Sequence, residues 1–199
     1  MKALEVKNRL QGHYFQNGFN MSCTEFGVFG GWADVFIMQK NGYTHEFEVK
    51  VETNDLMTEI NCIDHILNGD QEHINYESLM KKCGNKYQKH HTYLNSAEWT
   101  VNHSHYVVPN KFSFVIPKDL YEKLLKGGLN SKWYRIINLM EECGYGFYVI
   151  DPEQRVRWCL ERISKPEFLH KIKQDVMSKF AQRLFVENYN NFISKPITL

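Results

Sequence analysis

The sequence predicts an α/β fold, a three-layer-like sandwich in which helices flank a central mixed β-sheet. Three observations carry this. Short apolar runs bounded by Gly, Pro and Asn recur along the chain. Helical stretches fall between them, so some strands must be joined by crossovers. The 199 residues are 43% hydrophobic and 24% charged, which suits one globular domain with a real core.

The elements follow in order. Residues 3–11 place Leu4 and Leu10 among charged residues and predict a short helix. Phe19 to Val28 predicts a first strand, broken by Gly30-Gly31. Trp32 to Gln39 predicts a second strand, Asn41-Gly42 a turn, and Tyr43 to Val51 a third strand. Residues 55–67, 74–83 and 85–95 read as helical. Phe112 to Ile116 is a short buried strand closed by Pro117. Helices are expected over 118–126 and 131–143. Tyr145 to Ile150 and Val156 to Ile163 read as strands joined at Asp151-Pro152, and a long helix over 166–189 ends the chain. No repeat or low-complexity segment is present.

The second hairpin can be tested for register. A two-residue loop at Asn41-Gly42 would set Val35 opposite Glu48 and mix apolar with charged side chains on both faces. A three-residue loop, Lys40-Asn41-Gly42, puts Gly at the left-handed position such a loop needs. It sets Asp34 opposite Glu48 and gathers Ala33, Val35, Ile37, Phe47, Val49 and Val51 on one apolar face.

That register also collects chemistry. Asp34, Glu48 and Lys50 come together near the ends of paired strands, close enough for the two carboxylates to share one divalent ion. Mg²⁺ (or Mn²⁺) suits a site with few carboxylates, several waters and a phosphate. Lys50 would help position or activate the attacking water. The competing reading is a solvated strand face with a Glu–Lys pair. The triplet alone is weak, because 23 acids and 18 Lys give about two acid-x-Lys matches by chance. The chain has two, Glu5-Val6-Lys7 and Glu48-Val49-Lys50. Glu5 is preferred over Glu25 as a further carboxylate near the ion.

Charge is segregated although the net charge is only +1. Residues 46–77 hold nine acids and one Lys, whereas 79–95 hold four Lys and two His without an acid. Lys86, Lys89, His90 and Tyr93 fall at helical spacing, as a face that could hold nucleic-acid phosphates and stack a base, or as a solvated face. Cys62, His65, His73 and Cys83 do not match a compact zinc knuckle. Five Cys without a Cys-x-x-Cys pair, no signal-like start and no apolar span predict a cytoplasmic protein away from the membrane. Monomer and homodimer both stay open.

Together these residues resemble the PD-(D/E)XK nuclease superfamily, and more narrowly the MmcB-type proteins regarded as DNA-repair endonucleases and related phage proteins. The resemblance rests on Ala33-Asp34-Val35, Glu46-Phe47-Glu48-Val49-Lys50-Val51 and Asn54-Asp55-Leu56. It continues through Lys86, Lys89-His90, Tyr93, the stretch Pro109 to Pro117, and Tyr145 to Asp151 before a basic helix. It spans roughly residues 20–180, with gaps. It implies a restriction-endonuclease-like core over 1–199, an insertion at 60–85, and divalent-metal-dependent cleavage of DNA. Asp34 and Glu48 would hold the metal and Lys50 would be catalytic. Ala33 replaces the proline usual before the first Asp.

Overall fold

The computed structural model describes residues 1–18, 21–69, 81, 83–96, 106–126 and 131–194. One six-stranded sheet runs in the order β1-β2-β3-β4-β5-β6. Strands β1 (Met21–Val28), β2 (Gly31–Met38) and β3 (Thr44–Val49) form an antiparallel meander. Strand β3 then pairs parallel with β4 (Lys111–Pro117), and β4 with β5 (Gly146–Ile150). β6 (Leu160–Ser164) closes the edge antiparallel.

Helix α1 (Ala3–Gln16) lies on one face, with Val6, Leu10 and Tyr14 packed on Val35, Ile37, Phe47 and Val49. The β3-to-β4 crossover contains α2 (Thr53–Asn68) and α3 (Asn85–Leu94). The β4-to-β5 crossover contains α4 (Lys118–Leu125) and α5 (Lys132–Cys143). Their apolar stripes, including Leu56, Ile60 and Ile63 of α2 and Ile136 and Met140 of α5, cover Phe112, Phe114 and Phe147. Helix α6 (Met177–Ser194) closes over β1 and β2, where Phe180 meets Phe26 and Phe36. The architecture is the mixed-sheet α/β sandwich expected from the sequence.

The hairpin takes the three-residue loop. Val35 pairs with Phe47 and Ile37 with His45. Gly42 sits at φ 81° and donates its N–H to the Gln39 carbonyl, while Gln39 donates to Tyr43. One expected feature differs. Ala33 packs with Cys23, Phe26 and Phe36, not with Val35 and Ile37. The cause is Glu25, whose φ of 50° interrupts the ladder between Thr24↔Val35 and Phe26↔Ala33. Both strands change faces there with the register kept, and Asp34 lies at the change.

Two other expectations shift. The C-terminal helix begins at Met177, not at 166. Asn110 holds the preceding segment against the start of the central strand β4: its carbonyl accepts from Leu169 N–H and its side-chain amide donates to the His170 and Ile172 carbonyls. Val156 to Trp158 is a 3₁₀ turn, so the last strand starts at Leu160. Of the expected insertion at 60–85, residues 60–68 belong to α2 and bury Ile60 and Ile63 in the core. Residues 70–80 and 82 lie outside the described residues, and the helix expected at 74–83 falls mostly among them.

The first hairpin docks closely on α3. Gly30 has φ 76°, and a Cβ there would stand 2.9 Å from Lys89 Cβ and 3.1 Å from its Cα. Gly30→Ala is therefore expected to destabilise the fold by about 1–3 kcal/mol through backbone strain and displacement of α3. Urea denaturation measures this. An unchanged midpoint would mean that α3 moves without cost.

Candidate active site

Every residue of β3 is buried, and the strand nevertheless carries Glu46 and Glu48. Buried carboxylates need paired charges. Helices α2 and α3 supply them from above the sheet. Glu46 is ion-paired with Lys89 and accepts a hydrogen bond from the Tyr93 hydroxyl. Glu48 lies 3.0 Å from Lys50 Nζ and 3.2 Å from Lys89 Nζ. Lys50 Nζ also lies 2.6 Å from Glu59 and 3.1 Å from Asp55. Glu59 in turn holds Lys86 at 2.8 Å and His90 Nε2 at 2.8 Å.

Asp34 stands beside this network with partners of its own. The β2–β3 ladder ends at Val35↔Phe47, one residue short of Asp34 and Glu48, and the charge of Glu48 acts on Asp34. Its Oδ2 accepts from Val49 N–H at 2.8 Å, and its Oδ1 lies 2.6 Å from Lys7 Nζ of α1. Lys7 also pairs with Glu25.

The protonation states follow from these contacts. Burial and the charge of Glu48 push the Asp34 carboxyl above its usual range, against Lys7 and the Val49 amide. Burial does the same to Glu46 against Lys89. Burial would raise Glu59, but the His90 hydrogen bond and the charges of Lys50 and Lys86 overturn it and leave that carboxyl well below the usual range. Burial alone would neutralise Lys50, yet Glu59 and Glu48 raise it far above the ordinary lysine value. Lys50 is a permanent ammonium. Burial keeps His90 neutral, so Nε2–H donates to Glu59 and Nδ1 accepts from the Tyr145 hydroxyl.

Six carboxylates (Glu25, Asp34, Glu46, Glu48, Asp55 and Glu59) thus meet four ammonium groups (Lys7, Lys50, Lys86 and Lys89). By formal count two negative charges are left over, with Glu25 and Asp55 half exposed to water. A divalent cation would balance them. No three His, Cys, Asp or Glu side chains converge as a ligand set among the described residues. An ion here would rest on Asp34 and Glu48 with water completing its shell, as Mg²⁺ commonly does. By charge and donor type the pair fits Mg²⁺ or Mn²⁺, in competition with Lys7.

Several expected roles are relocated. Glu48 and Lys50 are in contact, and Asp34 feels the charge of Glu48 while its own carboxylate is held by Lys7 and the Val49 amide. Glu5 is not part of the group: it contacts Arg9 on the next helical turn and lines a separate cleft with Lys118, Asp119 and Asp151. Its i+2 neighbour Lys7 reaches Asp34 instead. Lys89, His90 and Tyr93 are 3%, 0% and 1% exposed, so they cannot hold a phosphate chain in solvent. Their face turns inward because Glu46, Glu48 and Glu59 answer it. Lys86 is partly open at the edge. Cys62 and Cys83 pack together, and burial raises the Cys62 thiol. His73 lies outside the described residues.

Two members escaped the sequence reading. Glu59 had a signal: it interrupts the apolar stripe Leu56, Ile60, Ile63 at its own helical position. Lys7 had none, since nothing local links α1 to Asp34.

Neutral buried histidines impose a pH dependence. Burial lowers His13, His45, His90 and His170 from the ordinary value of 6.5. Their unfolded forms bind protons first on acidification, so this stability is complete above about pH 6.5 and falls as pH drops through and below it. Each contributes up to about 1.4 kcal/mol per pH unit. Urea midpoints should fall between pH 7.5 and 5.5. Equal midpoints would show that these rings are already charged in the fold.

No protein-family model matches this chain, and no curated protein does. A solved protein of unknown function from Silicibacter pomeroyi is similar over 100% of this chain and 99% of its own, at 12% identity and a TM-score of 0.48. Among the described residues no helix is long and apolar enough to cross a membrane.

Proposed function

We propose that this protein is a divalent-metal-dependent nuclease that hydrolyses DNA phosphodiester bonds. The observation that carries the reading is Asp34, at the end of the β2–β3 ladder, within reach of the charge of Glu48, which itself holds Lys50. Asp34 and Glu48 would hold Mg²⁺ or Mn²⁺. The ion, when bound, supplies a Lewis acid and a nucleophilic water at neutral pH. Lys50, fixed by three carboxylates and always charged, orients the nucleophile and offsets charge developing on phosphorus. It takes no proton. DNA as substrate, and a setting in cytoplasmic repair, recombination or phage DNA metabolism, come from the resemblance to PD-(D/E)XK nucleases.

One observation favours a second reading, a non-catalytic nucleic-acid- or protein-binding module on the same fold. All four oxygens of Asp34 and Glu48 already meet a lysine or a backbone N–H. The purified protein incubated with Mg²⁺ or Mn²⁺ on linear, nicked, branched and single-stranded DNA separates the two. Cleavage abolished by EDTA, and absent from an Asp34→Asn preparation made alongside, supports the nuclease. No cleavage of any substrate with either metal leaves the binding module.

A further inference from the structure

The other face of the sheet carries a cleft of ≈ 420 Å³ that the network above does not use. Its members include His13, His45, Lys111, Tyr148, Arg162 and Lys165. The strand register explains why they meet. His45 pairs with Lys111 across β3 and β4, and Tyr148 with Arg162 across β5 and β6. Directly opposed residues share a face, here the face beneath α1. Glu46 and Glu48 alternate with His45 and Phe47 and point to the other side.

The cleft is basic, and within it Arg162 hydrogen-bonds the Tyr148 hydroxyl. No carboxylate lines it. Among the described residues Lys111, Arg162 and Lys165 make no ion pair, while Lys50, Lys86 and Lys89 across the sheet each hold at least two carboxylates. Lys111 lies instead over the Phe168 ring, 4.4 Å from its centroid. Burial, then the charges of Lys165 and Arg162, lower the Lys111 ammonium. Such convergence is unfavourable unless an anion joins it. The floor is polar but uncharged: His45, held neutral by burial and by Lys111, bonds Ser113 Oγ at 2.8 Å.

We propose that this cleft binds a phosphomonoester, with its phosphate among Lys111, Arg162 and Lys165 and its organic part against Tyr14 and Tyr148. A phosphomonoester carries about −1.5 to −2 charge at neutral pH, which offsets half or more of the charge of the three cations. The Arg162 fork suits two phosphate oxygens at once. The volume lies within the usual range for small-ligand sites. The ester is either a free small molecule or the 5′-phosphate end of a nucleic acid. Neither source requires cleavage at Asp34.

Calorimetric titration tests this with adenosine 5′-monophosphate, adenosine, and one oligonucleotide with a 5′-phosphate or a 5′-hydroxyl. The expected result is binding that depends on the phosphate and weakens as salt rises. It should drop at least about tenfold in Arg162→Gln/Lys165→Gln, whose parent side chains are exposed and whose fold should persist. Lys111→Gln should act likewise. Phosphate-dependent binding of the mononucleotide assigns a free ester, and of the oligonucleotide alone a nucleic-acid end. The proposal is overturned if neither phosphate-bearing ligand binds better than its phosphate-free counterpart, or if the double variant binds as the parent does.

Discussion

Glu59→Ala is expected to remove about 3–5 kcal/mol of folding stability, the cost of breaking a buried charged network from one side. Glu59 is 1% exposed and answers three groups at once: Lys50, Lys86 and His90. Lys50 would keep Glu48 and Asp55, but it is 2% exposed and cannot recover water. The His90 Nε2–H would lose its acceptor in a fully buried position. Glu59→Gln retains an acceptor for His90 and should cost less. Removing both partners, in Glu59→Met/Lys50→Met, should cost less than the sum of the single changes, because no charge is stranded. Urea denaturation of these three variants and of the single Glu59→Met and Lys50→Met changes decides it. A loss below about 1 kcal/mol for Glu59→Ala would show that water reaches Lys50.

How far the sequence reached can be traced residue by residue. Alternation between Val35, Ile37, Phe47 and Val49 is a local signal, and the loop at Lys40-Asn41-Gly42 fixed its register. Continued by one residue, that register would set Asp34 opposite Glu48, but the ladder ends at Val35↔Phe47 and the Asp34 carboxylate turns to the Val49 amide and Lys7. Ala33 was misplaced because the face change at Glu25 is a property of the β1 and β2 pairing, not of either strand by itself. The spacing of Lys86, Lys89, His90 and Tyr93 correctly marked one helix face. Spacing carries no information on what covers that face. The acids that cover it come from β3 and α2, 27–47 residues away in sequence. Of the segregated charge, Glu46, Glu48, Asp55 and Glu59 on one side and Lys86, Lys89 and His90 on the other therefore form two halves of one network. The late start of α6 turned on Asn110, some 60 residues from the backbone it holds.

Asp34→Asn is expected to abolish metal-dependent cleavage while leaving stability almost unchanged, and this contrast separates function from scaffolding. Burial and Glu48 raise the Asp34 carboxyl above 3.8, so its ionised form is disfavoured in the fold. The sign follows: the contribution of this group is best below the unfolded value and declines as pH rises through the folded one. Asparagine removes that charge and can still accept from Val49 N–H, and Lys7 keeps Glu25. Stability at neutral pH should hold to within about 1 kcal/mol. Cleavage should not, since a neutral amide is a poor partner for a hard divalent cation. Lys50→Gln should lower cleavage about 10²–10³-fold, the usual cost of removing one stabiliser of transition-state charge. It should also destabilise the fold, because Glu48, Asp55 and Glu59 lose a shared cation. Lys50→Arg restores the charge. It should recover part of the rate if Lys50 acts as an ammonium, and none if that position must accept a proton. An Asp34→Asn protein that cuts as fast as the parent, with contaminating nuclease excluded, would remove Asp34 from the site.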